Sequence, residues 1–98
     1  MCIIICMKFE WDEAKNKANI AKHAVSFKEA TKAFSDKKAL TAYDSMHSTE
    51  TESRYNLIGK VGDKIMTVSY TIRDEKIRII SAGYYRKGRR IYEKRNSK

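Results

Sequence analysis

The sequence predicts an α+β fold: an N-terminal strand, two packed helices, a mainly antiparallel four-stranded sheet segment, and a short C-terminal helix or tail. Apolar residues first recur at helical spacing, then switch to a period of two, and the later apolar runs are joined by hairpin-length links. At 98 residues, 42% hydrophobic and 34% charged, the chain is expected to form one ordered domain, because two cores would need more chain. It contains no proline and no repeat or low-complexity stretch that would mark a linker.

Residues 3–11 are β-rich, and Phe9 and Trp11 alternate with Lys8 and Glu10 as a first strand requires. Asp12 stands where it can cap a helix over residues 13–23. There Ala14, Ala18 and Ala21 mark a small apolar face suited to close packing, with Asn16, Lys17 and Lys22 off it. Ser26-Phe27-Lys28-Glu29 has the capping-box form, so a second helix starts there, joined to the first at Ala24-Val25. Phe27, Ala30, Ala33 and Phe34 lie on one side of it, and Ser35-Asp36 ends it.

Residues 38–43, 54–61, 64–72 and 76–84 read as strands, separated by the polar stretch 44–53, by Gly62-Asp63 and by Arg73-Asp74-Glu75. In the third of these, Met66, Val68, Tyr70 and Ile72 share a face that should meet the helices, while Thr67, Ser69 and Thr71 share a polar one. Residues 87–95 have Ile91 as their main apolar residue, so a helix there needs packing or a partner to fix it.

Charge narrows the function. Lys and Arg number 21 against 12 Asp and Glu, a net +9, which favours an acidic or phosphate-bearing partner over a neutral metabolite. Residues 1–50 carry a net charge of only +1, and residues 51–98 carry +8. The last thirteen residues alone contribute +6, so a polyanion is expected to dock there first.

Cys2 and Cys6 have no second pair to complete a zinc site. On a strand both thiols share a face but lie too far apart for a ready disulfide, which suits reduced cysteines in a cytoplasmic protein. The apolar run 2–7 is too short to span a bilayer and lacks a basic leader and a small-residue cleavage site, so no export signal is expected. Met7 is an alternative start, which would make residues 1–6 an upstream extension.

Phe9-Glu10-Trp11-Asp12-Glu13-Ala14-Lys15, then Asn19, Lys22-His23, Val25-Ser26-Phe27 and Ala30, resemble the opening of the BrnT family of toxins. Glu52-Ser53-Arg54-Tyr55, Gly59 and Arg78-Ile79-Ile80-Ser81-Ala82 resemble the sheet segments of that family, and Tyr92-Glu93 its terminal motif, so the resemblance covers about residues 8–93. It implies a type II toxin: a small ribonuclease of the RelE-like superfamily, acting without a metal or other cofactor and neutralised by a BrnA-like antitoxin. Any DNA contact would then come through the antitoxin. The chain departs from the family at Gly83, where the family usually has arginine; if that arginine carries chemistry, Arg86 must substitute.

Metal-free RNA cleavage requires a base for the ribose 2′-hydroxyl, cations for the phosphorane and a proton for the leaving 5′-oxygen. Arg54 and Arg78, on sheet segments expected to be adjacent, are the candidates for phosphate binding, because guanidinium groups hold phosphate oxygens bidentately. The alternative is that they only pair across the sheet with Glu52 or Glu75. His23 and Glu52 are candidate proton-transfer groups, although a histidine ending a helix is also favoured by the helix dipole. His47, in a polar loop, reads as a surface residue.

Lys15 and Lys22, two helical turns apart, could track a phosphate backbone, as could Arg86, Lys87, Arg89 and Arg90. Tyr84, Tyr85 and Tyr92 could stack on unpaired bases, whereas Trp11, Phe27 and Phe34 belong to the core. The competing function is a non-enzymatic basic protein that binds nucleic acid or an acidic antitoxin segment, with weak or lost ribonuclease activity.

Overall fold

The computed structural model describes residues 8–97. Cys2, Cys6, Met7 and the first part of the strand expected over residues 3–11 lie outside the described residues. In chain order the elements are β1 (Lys8–Glu10), α1 (Glu13–His23), α2 (Phe27–Ala30) running into a 3-10 turn (Thr31–Ser35), β2 (Leu40–Tyr43), β3 (Arg54–Val61), β4 (Lys64–Arg73), β5 (Lys76–Gly83) and α3 (Arg86–Arg95). No helix among them is long and apolar enough to cross a membrane.

Strands β2 to β5 pair antiparallel with their neighbours in sequence, β3–β4 and β4–β5 through two-residue turns. The sheet is nevertheless five-stranded and mixed, in the order β1-β5-β4-β3-β2, because β1 joins β5 in parallel. This corrects the four-stranded expectation, while the mainly antiparallel pairing holds. The parallel pairing depends on where the chain returns after five intervening helices and strands and a 3-10 turn, which no local pattern encodes. Phe9 on β1 packs edge-on against Phe34 at 5.1 Å, and this contact helps hold the strand at the sheet edge.

Helix α1 begins where Asp12 Oδ1 accepts the Ala14 and Lys15 amides at 2.8 and 3.2 Å. Its packed face is not the alanine face. Ala14, Ala18 and Ala21 are exposed, and the stripe Asn16, Asn19 and His23 faces the protein instead. The reason is hydrogen bonding. Asn16 Oδ1 accepts the Phe27 amide at 2.8 Å, and the buried Asn19 donates from Nδ2 to the carbonyls of Val25 at 2.8 Å and Ala82 at 2.9 Å. The Ala82 amide donates back to Asn19 Oδ1 at 3.2 Å. Since β1 covers only Lys76–Arg78 of β5, the Asn19 amide serves the next stretch of that edge as a strand peptide would.

Helix α2 and its 3-10 extension supply the core residues expected of them: Phe27, Ala30, Ala33 and Phe34 are all buried. Ser26 Oγ accepts the Glu29 amide at 3.0 Å, while the Glu29 carboxylate turns away to the Tyr84 hydroxyl at 3.5 Å. These residues cover Leu57, Met66, Val68, Tyr70, Ile77 and Ile79 on one face of the sheet. Ile72, two residues before the Asp74-Glu75 turn, is about half exposed. Gly59 lets the 3-10 turn approach β3, since a Cβ there would stand 2.5 Å from the Ala33 carbonyl oxygen. A bulge between Ser69 and Tyr70 of β4 leaves Ile80 of β5 unpaired and restores Ala82 to the helix-covered face after Ile77 and Ile79.

The opposite face is not left wholly open. Helix α3 docks on it through Gly88, whose missing side chain leaves room for Thr67 and Ile58 beneath. The C-terminal segment is therefore a helix fixed by packing, as its weak apolar content demands.

Replacing Asn19 with Ala strands two carbonyls and one amide. The expected loss is about 2–4 kcal/mol of unfolding free energy. Urea denaturation should show this as a lower midpoint at unchanged slope.

Candidate functional site

The register of the sheet builds the site. Glu10 of β1 stands opposite Arg78 of β5, Arg78 opposite Thr71 of β4, and Thr71 opposite Arg54 of β3. Because side chains alternate along strands, this whole row points to the face opposite α1 and α2. The arginines are not on adjacent strands, as the sequence suggested; β4 lies between them, which separates their Cα atoms by roughly 10 Å. Arg54 and Arg78 thus flank Thr71, one on each neighbouring strand. Thr71 is buried, and its hydroxyl donates to the Ser53 carbonyl at 2.6 Å.

Each arginine is tethered by one carboxylate. Arg54 Nε donates to Glu52 Oε1 at 2.8 Å, and Arg78 Nη1 donates to Glu10 Oε2 at 3.4 Å, so the partner of Arg78 is Glu10 and not Glu75. A guanidinium has five N–H donors in a fixed fork, and these single contacts leave most of them free for a phosphate. Arg73 Nη2 reaches the other Glu52 oxygen at 3.4 Å. The Arg54 hydrogen bond, reinforced by the charges of Arg54 and Arg73, holds the Glu52 carboxyl below the usual carboxylate range despite some desolvation. Glu52 thus stays ionised and is a weak base, better suited to aiming Arg54 than to taking a proton.

The row continues past β3. The Asp44 amide donates to the Arg54 carbonyl at 2.8 Å, one step beyond the Tyr43–Tyr55 pair, so Asp44 stands opposite Arg54. Its Oδ2 lies 2.8 Å from His47 Nδ1 and accepts from Asn56 Nδ2 at 3.4 Å; Asn56 Oδ1 in turn accepts from Ser69 Oγ at 2.7 Å. Partial burial pushes the Asp44 carboxyl up, but hydrogen bonds from the His47 ring and amide, with the histidine's charge and Asn56, hold it below its ordinary value. Sequence reasoning missed Thr71, Glu10, Arg73 and this polar chain. Only the alternation of Thr67, Ser69 and Thr71 hinted at a shared face.

The other sequence candidates lie elsewhere. His23 sits at the end of α1 with Nε2 3.3 Å from the Tyr85 hydroxyl, near Gly83, five residues along β5 from Arg78 and on the helix-covered side. Lys15 and Lys22 are exposed on α1, also on that side. Arg86 and Arg89 line a cleft of about 1100 Å³ together with Lys60 and Lys64, between α3 and the β3–β4 hairpin. Lys87 and Arg90 are exposed on α3. Tyr92 is buried, not free to stack: its hydroxyl donates to Asp36 Oδ2 at 2.6 Å. Burial and the Asp36 carboxylate push the Tyr92 hydroxyl up to about 12. A side chain at Gly83 would meet the Tyr85 ring at 3.0 Å, so Tyr85 occupies the space that an arginine would need.

Residues 11–88 match the profile of a family described as ribonuclease toxin, BrnT, of type II toxin–antitoxin system. The chain belongs to the BrnT family. No curated protein matches it in sequence. BrnT membership makes the chain a ribonuclease toxin of a type II toxin–antitoxin system, with RNA as substrate and an antitoxin as partner. The match covers β1's exit, both N-terminal helices, the arginine row and the Gly88 contact of α3. Among the described residues no three His, Cys, Asp or Glu side chains cluster as a metal site would need.

Tyr92→Phe tests what that side chain does. Losing the bond to Asp36 should cost about 1–2 kcal/mol at neutral pH while leaving RNA affinity unchanged. The folded-state value of about 12 lies above the ordinary tyrosine value of 10.0, so the native advantage is complete below pH 10 and fades as pH rises to about 12. Urea midpoints of the two proteins should converge across that interval.

Proposed function

We propose that the open sheet face of this BrnT toxin cleaves single-stranded RNA by transphosphorylation without a metal, with the scissile phosphate seated over Thr71 between Arg54 and Arg78. The observation that carries the reading is the cross-strand register, which sets one guanidinium on each side of Thr71, each anchored by a single carboxylate. Charge that develops on the phosphorane oxygens then meets two permanent cations already in position, the arrangement that lowers a barrier most. Glu52 and Glu10 orient the arginines, and Glu52 does so for Arg54 and Arg73 together.

The cationic cleft beside α3 extends the path for the RNA backbone, with Arg86 and Arg89 as its phosphate contacts. Exposed Tyr84 and Tyr85 at its mouth offer rings for unpaired bases. His23, which packs with Tyr85 at 5.6 Å between ring centroids, orders this mouth and takes no part in the proton transfer. Lys15 and Lys22 add to the general attraction for polyanions. A BrnA-like antitoxin with an acidic segment would neutralise the toxin in the cytoplasm by covering the basic surface that RNA uses.

Arg54→Ala and Arg78→Ala should each lower cleavage of single-stranded RNA by roughly 10²-fold, and the pair should abolish growth arrest on induced expression at equal soluble yield. Retained arrest and RNA loss in the double variant would remove the arginine row from the mechanism. A binder without activity would instead leave total RNA intact in cells making the native chain.

A further inference from the structure

The arginine row supplies cations but no proton acceptor. Glu52 is committed to two arginines, and Glu10 to one. His23 lies across the sheet beside Tyr85. The described residues contain one other imidazole, and the geometry points to His47 as the general base of this site, held by Asp44 at the end of the row. The inference rests on the ribonuclease reading of the open face and names the group that completes it.

Position is the first argument. Asp44 is the cross-strand neighbour of Arg54, and the turn bearing His47 is closed onto the Arg54 peptide: Ser48 Oγ accepts the Arg54 amide at 2.8 Å and donates to the Asp44 carbonyl at 2.6 Å. Orientation is the second. The His47 amide donates to Asp44 Oδ1 at 3.2 Å while the ring takes Oδ2, so one carboxylate fixes both backbone and side chain. Asn56, tied to Ser69, holds the carboxylate from β3.

With Asp44 accepting from Nδ1–H, the neutral ring carries its lone pair on Nε2. Asp44 is the only ion-pair partner of His47 among the described residues, and the ring side chain is 65% exposed, which leaves it accessible from solvent. In the step, Nε2 takes the 2′-hydroxyl proton as the O2′–P bond forms and the P–O5′ bond breaks. Water protonates the departing 5′-oxygen, and the imidazolium returns its proton to solvent. The products are a 2′,3′-cyclic phosphate and a 5′-hydroxyl. His47 is a catalytic residue in this scheme and Asp44 a positioning residue.

Single-turnover cleavage of a mixed-sequence single-stranded RNA pool tests it, using the full chain and its His47→Gly and Asp44→Asn variants at matched melting temperature. His47→Gly should lower the rate about 100-fold with RNA affinity within about twofold, and added imidazole should restore most of the rate. Asp44→Asn should fall between the two because its ring is no longer held in one tautomer. Native-like cleavage by His47→Gly overturns the assignment while leaving the ribonuclease reading intact. So does a loss that imidazole does not rescue. A native chain that cleaves no RNA overturns both.

Discussion

The structure depends on one buried amide. Asn19 is enclosed by the turn after α1 and by the far end of β5, and its three hydrogen bonds tie the two together. An unpaired amide at that depth would be costly, so the same group that satisfies the Ala82 edge also dictates where the helices lie. Ala24 adopts a left-handed conformation with φ of 59° to bring Val25 within reach. Once α1 is set against β5 in this way, α2 and its 3-10 extension fall across the sheet with Phe27 and Phe34 inward, and the arginine row lies on the opposite face.

On that opposite face the alignment of the polar row follows from register. A slip of one residue between β3 and β4 would turn Arg54 toward the core and Tyr55 toward solvent. The aromatic run on the helix side guards against this. Tyr43, Tyr55, Tyr70 and Phe34 pack in succession at centroid distances of 5.8, 5.5 and 5.1 Å, stacked at the middle contact and edge-on at the other two, and no shifted pairing would preserve all three contacts. The core thus secures the alignment of residues it never touches.

Much of this was legible in the sequence because it is local. The caps at Asp12 and Ser26, the buried side of α2 and the limits of β3 each follow from neighbours within a few positions. What was not legible depends on distant partners. Alanine spacing in α1 pointed to the wrong face, because propensity counts Ala14, Ala18 and Ala21 as apolar and cannot see that Asn16 and Asn19 find backbone partners. Arg54 and Arg78 were recognisable as cations, but their separation by β4 needed the strand order. His47 was read as a surface loop residue, and it does lie in an exposed turn; what residues 44–53 do not reveal is that this turn folds back on Arg54. The re-phasing of β5 at Ile80 likewise arises from pairing and not from composition.

The pairing of β1 with β5 bears on how the molecule comes into being. The Glu10–Arg78 contact spans 68 positions and the Asn19–Ala82 contact 63, so each closes about two thirds of the 98-residue chain. Contacts of such high order carry the greatest loop-closure entropy and form slowly. While it is being made, a chain that has not yet extended through β5 lacks both the amide clamp and the second arginine. The sheet edge and the arginine row are therefore completed in the same late event, and a truncated product loses the two together.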